Sequence, residues 1–178
     1  MFLESDKVIF LMIDIQEKLA KAIFNRETVI KNATVLSKTA KNLNIDFFIT
    51  EQYPQGLGET LVDLKTEKSV IFIKTDFDAT KNKELANLIK DSGKTQIVLF
   101  GIETHICVYQ TAMSFLELGY DVTLICNASG SRMESEHLSA LNYIQNNGGK
   151  IKTTEMVIFE LLKSSRHEKF KEIQGLIK

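Results

Sequence analysis

The chain has 178 residues, with 22 basic and 23 acidic side chains and a formal net charge of −1. That balance excludes an electrostatic binder of nucleic acid or of an anionic membrane surface. Hydrophobic residues make up 44% and charged residues 25%, enough for a core without staples, and two cysteines are too few for a disulfide scaffold. The first apolar run is preceded by Asp6 and Lys7 and stops at Asp14, so it does not read as a signal peptide. No stretch approaches the ~18 apolar residues of a membrane span. These features predict a soluble, cytoplasmic protein whose thiols are reduced.

In chain order, a strand over residues 8–13 is followed by a helix whose apolar face is drawn by Val29, Ala33, Leu36, Ala40 and Leu43. A strand over 46–50 leads into an irregular loop, 51–58, that holds the only proline, Pro54. Next come a strand over 70–74, an amphipathic helix over 82–91 using Leu85, Leu88 and Ile89, and a strand over 96–100. The pattern over 105–118 has Glu117 as its one acidic or basic residue besides His105, which predicts a mostly buried helix. A strand over 122–125, a helix over 134–145 using Leu138, Leu141 and Ile144, and a strand over 150–153 follow. Residues 156–178 read as two helices broken near 164–165. The first four strands are almost continuously apolar, the pattern of strands covered on both faces. Regular alternation predicts one α/β domain with a doubly wound parallel sheet.

In such sheets ligands bind beyond the carboxyl ends of the strands. The first strand ends at Asp14, the third at Lys74, and the fourth leads into Gly101-Ile102-Glu103-Thr104-His105-Ile106-Cys107. A carboxylate can take a thiol proton as general base, and an ammonium beside both offsets the charge that results. If Thr104 caps the following helix, Cys107 sits in its first turn. There the dipole favours a thiolate by about 0.3–1 kcal/mol, and free amides can hold an oxyanion. Each residue also has a plainer role: a helix cap for Asp14, a solvated strand end for Lys74, a packed thiol for Cys107. Their joint placement is what favours chemistry. Cys126 has no such companions and reads as structural.

The segments LMIDIQEKL, FIKTDFDAT and GIETHICVYQTA, in that order, resemble the isochorismatase-like cysteine hydrolases, a family that includes nicotinamidases. The resemblance covers nearly the whole chain. It implies a Rossmann-like three-layer α/β/α fold with a six-stranded parallel sheet in the order 3-2-1-4-5-6. It implies an Asp14-Lys74-Cys107 triad, an oxyanion hole from the amides of Glu103 and Cys107, and a non-proline cis peptide at Ile102–Glu103. It also implies a homo-oligomer. Metal-binding nicotinamidases carry an Asp and two His ligands, the first two in a D-x-H motif after the second strand. This chain has Glu51-Gln52-Tyr53-Pro54-Gln55 there, so no metal is expected.

The substrate is expected to be a small molecule carrying an amide-like C–N bond, with Gln52, Tyr53, Phe77 and His105 as pocket candidates. His105 otherwise reads as an exposed first-turn residue, and His137 and His167 as helix-surface residues. Asn127, Ser129, Ser131 and Arg132 follow the fifth strand, and Ser131-Arg132 resembles a family motif there. No cofactor is expected: the turn after the first strand, Asp14-Ile15-Gln16-Glu17, lacks the G-x-G-x-x-G that a dinucleotide requires. The competing readings are a non-catalytic binding or assembly module that keeps the fold, and a thiol redox sensor pairing Cys107 with Cys126.

Overall fold

Short β-branched and aromatic runs form the strands, and each long helix carries one apolar stripe that the sheet must cover. The computed structural model describes residues 2–177. It arranges them as β1 (Val8–Ile13), α1 (Arg26–Asn42), β2 (Asp46–Gln52), α2 (Pro54–Leu57), β3 (Val70–Lys74), α3 (Lys83–Asp91), β4 (Gln96–Ile102), α4 (Tyr109–Glu117), β5 (Asp121–Gly130), α5 (Glu134–Asn146), β6 (Lys150–Lys152), α6 (Thr154–Leu162) and α7 (Phe170–Gln174). The sheet order is β3-β2-β1-β4-β5-β6, and every pairing is parallel.

β1 is buried at every position, and its alternate side chains feed two cores. Val8, Phe10 and Met12 meet Val29, Ala33, Leu36 and Ala40 of α1 and Val157 and Leu161 of α6. Ile9, Leu11 and Ile13 meet Leu85 and Ile89 of α3, Ala112 and Phe115 of α4, and Ile144 of α5. The continuous apolar run of β1 is therefore explained by helices on both faces. The run Val157–Leu162 is accounted for inside the chain: Ile158 and Leu162 pack with Val35 and with Ile173 of α7.

Several elements differ from the sequence expectation. β3 is an edge strand, not a doubly covered one, and Ile73 is 57% exposed. Its apolar composition therefore says nothing about helices on its outer side. β2, β4 and β5 run further than their apolar segments, because ladder hydrogen bonds continue through polar residues. Asn127 and Ser129 consequently lie within β5, not after it. The segment read as one helix from 105 begins as a π-helical turn over Thr104–Val108 before α4. In α5 the buried stripe is His137, Ala140 and Ile144, while Leu138 is exposed. A histidine can occupy that inward stripe because its ring finds polar partners, described below.

Register makes the site. Ile13 is level with Thr50 on one side and Gly101 on the other, and Gln52 is level with Lys74. Four strands thus end at one rim. Gly101 has φ +144, and a Cβ there would collide with the Ile13 backbone, so only glycine lets β4 pass β1 this closely.

Candidate active site

β1, β2 and β4 each exit through a non-glycine residue in the left-handed region: Asp14 (φ 53), Tyr53 (φ 38) and Glu103 (φ 55). Each such residue costs about 1–3 kcal/mol and persists only where its surroundings over-determine it. None of the peptide bonds among the described residues is cis. The expected cis bond at Ile102–Glu103 is therefore corrected. The chain reverses there through the wide φ of Gly101 and the left-handed Glu103, with the peptide between Ile102 and Glu103 trans.

Asp14 and Lys74 meet in the interior. Lys74 Nζ lies 2.7 Å from Asp14 Oδ2, and both side chains are 1% exposed. The second carboxylate oxygen accepts from Thr50 Oγ1 at 2.7 Å. Lys74 Nζ also donates to Gln52 Oε1 at 2.6 Å and to the carbonyls of Asp76 (3.2 Å) and Phe77 (3.4 Å). A buried ion pair is tolerated when its remaining donors and acceptors are satisfied, as they are here. The Cys107 thiol, 6% exposed, is close enough to Asp14 and Lys74 for both charges to act on it. Burial first, then the Asp14 charge, push this thiol up to about 12, and Lys74 opposes them only in part. Desolvation thus works against the thiolate that the helix dipole favours, a dipole worth at most about 1 kcal/mol.

Gln52 does not face the site as a free amide. Its carbonyl end holds Lys74, and its Nε2 donates to the Thr75 carbonyl at 2.7 Å. Phe77 lines a cavity of about 470 Å³ with Tyr109, Gln110 and Met113, beside the 75–78 loop that holds Lys74. Tyr53 is not among that cavity's walls; its ring lies over Gly56. His105 is half-buried, not exposed, with Nδ1 sharing a 3.0 Å hydrogen bond with Ser131 Oγ. His137 is buried, and Nδ1 shares a 2.9 Å hydrogen bond with Thr104 Oγ1. Thr104 is thus committed to His137 and caps nothing. The third histidine, His167, accepts from the Lys169 amide. Cys126 is half-buried in β5, and burial pushes its thiol up.

Sequence reasoning missed Gln16. Its side chain is fully buried, accepts from the Gln52 amide at 2.7 Å, and donates to the carbonyls of Gln52 (3.0 Å) and Gly58 (2.6 Å). It staples the 52–58 loop to the turn after β1. A lone glutamine three residues beyond a strand end carries no sequence signal for this.

The isochorismatase domain model matches residues 8–156 of this chain. The protein belongs to the isochorismatase-domain family. Isochorismatase family protein 1B of Dictyostelium discoideum is 37% identical over 172 residues, spanning 93% of this chain and 83% of that protein. A solved structure from Caenorhabditis elegans, described as MAR1 ribonuclease, is 34% identical with a TM-score of 0.93, covering 99% of this chain and 92% of that one. An octameric Escherichia coli hydrolase of unknown specificity shares the fold, with a TM-score of 0.89 at 23% identity over 99% and 94% of the two chains. Membership points to hydrolase chemistry at the level of the family.

Proposed function

We propose that this isochorismatase-family protein is a cysteine-dependent hydrolase that cleaves a small amide-like C–N bond through a thioester on Cys107. The observation that carries the reading is the buried 2.7 Å Asp14–Lys74 pair, whose two charges both act on the Cys107 thiol. Asp14 takes the thiol proton as sulfur attacks the carbonyl carbon. The two events are coupled, because the resting thiol is held protonated. The backbone amides of Glu103 and Cys107 receive the developing oxyanion. Asp14 passes its proton to the leaving nitrogen as the C–N bond breaks. Water then loses a proton to Asp14 and attacks the thioester, and the departing sulfur recovers that proton. Lys74, anchored by Gln52 and two carbonyls, stays in place through each change of charge on Asp14 and sulfur.

The substrate is a small molecule; the cavity walled by Phe77, Tyr109 and Gln110 adjoins the 75–78 loop, but none of Asp14, Lys74 and Cys107 lines it, so it supports only an outer contact for part of the substrate. Tyr53 and His105 stand at the same rim as candidates for its outer contacts. A screen of small amides, ureides and esters tests the reading, with Cys107→Ala as control. RNA belongs in that screen because the worm relative is described as a ribonuclease, although a net charge of −1 disfavours a polyanion. Turnover that survives Cys107→Ala would overturn the mechanism.

The thiol's upward shift favours a second reading, a binding or assembly module that keeps the fold. Saturable ligand binding with no turnover of any ligand would decide for it. We further propose a single hydrolase domain working in the cytoplasm as a homo-oligomer, supported by the family resemblance and by the octameric fold neighbour.

A further inference from the structure

The three residues that open the nucleophile turn are tied, one after another, to the connection between β5 and α5 and, through His137, to the first turn of α5 that continues it. Glu103 Oε1 lies 2.9 Å from Arg132 Nε. Thr104 Oγ1 shares a 2.9 Å hydrogen bond with His137 Nδ1. His105 Nδ1 shares one of 3.0 Å with Ser131 Oγ, and stands 3.4 Å from Glu103 Oε2. His137 stands in the first turn of α5, so its bond joins that helix to the nucleophile turn. These partners sit opposite the backbone that most needs holding: Glu103 is left-handed, and the turn from Thr104 is π-helical, a geometry with little intrinsic stability.

We propose that this connection is a clasp, and that Arg132 and His137 are positioning residues for Cys107, acting on it through Glu103 and Thr104. The role rests on Cys107 being the reactive group. Arg132 is 58% exposed, and its ion pair is with Glu103, not with Asp14 or Lys74. Arg132 Nε holds one oxygen of the Glu103 carboxylate, and the other, buried without a hydrogen-bond partner among the described residues, faces His105.

The test uses the full-length protein, iodoacetamide and Arg132→Met. Alkylation of Cys107 is followed by peptide mass spectrometry, with Cys126 as internal reference, and amide hydrogen exchange is read over residues 103–108. Loss of a largely exposed ion pair should speed exchange in the turn by about two- to fivefold, and speed alkylation of Cys107 at pH 8 comparably as water gains access. Cys126 should be unaffected, and Arg132→Lys should recover part of both effects. His137→Gln should loosen the turn in the same direction. A folded Arg132→Met protein with unchanged exchange and unchanged Cys107 alkylation overturns the clasp. The two proposals fail separately: if Asp14→Asn leaves Cys107 reactivity unchanged while Arg132→Met alters exchange, the triad reading falls and the clasp stands.

Discussion

At the residue scale the decisive group is a thiol kept protonated by its surroundings. Removing the Asp14 charge removes the second largest cause of that shift, so Asp14→Asn should lower the pH midpoint of Cys107 alkylation, and Lys74→Met should raise it. Both should reduce turnover of any substrate found, Asp14→Asn by about 10²–10⁴-fold, the usual worth of a general acid–base group. Lys74→Met also leaves Asp14 unpaired in the interior, and a melting curve should register about 3–5 kcal/mol of lost stability. Two side chains set opposite pH limits. Between its ordinary value of 9.0 and about 12, Cys107 ionises in the unfolded chain before the folded one, so stability falls as pH rises through that window. His137 behaves in reverse: burial lowers its pKa below 6.5, the unfolded chain binds the proton first, and stability falls as pH drops below that value. Denaturation profiles of Cys107→Ala and His137→Gln should each be flatter at the corresponding end.

At the scale of elements, strand ends do the positioning. Gly101 sits where β4 crosses close to Ile13, so Gly101→Ala should cost about 3 kcal/mol or more and shift the turn that carries Cys107. Equilibrium unfolding together with Cys107 alkylation checks both parts. Gln16 joins β1 to the loop beyond β2 by three hydrogen bonds. Gln16→Ala strands those groups and should destabilise the protein by about 1–3 kcal/mol, with faster hydrogen exchange over residues 52–58. Gln52 belongs to the same level of organisation: as the partner of Lys74 it was legible only as a polar residue near a strand end, because its register with Lys74 is a property of the paired strands.

At the scale of the whole molecule, light scattering should give a mass that is a multiple of 20.2 kDa if the proposed assembly holds. The alternation of apolar runs and amphipathic stripes was enough to predict a parallel, doubly wound sheet, because period and burial are written into composition residue by residue. Asp14, Lys74 and Cys107 were also legible, since strand ends in such a sheet share a rim. What the chain's one-dimensional order could not carry was which faces are covered and which groups are neighbours. The exposed side of β3, the inward turn of His137 and the staple at Gln16 all follow from contacts between elements distant in sequence. Ionisation belongs to that second class. A cysteine early in a helical segment looks activated when only its local dipole is counted, and desolvation by the assembled core, together with a carboxylate 93 positions away, reverses the sign.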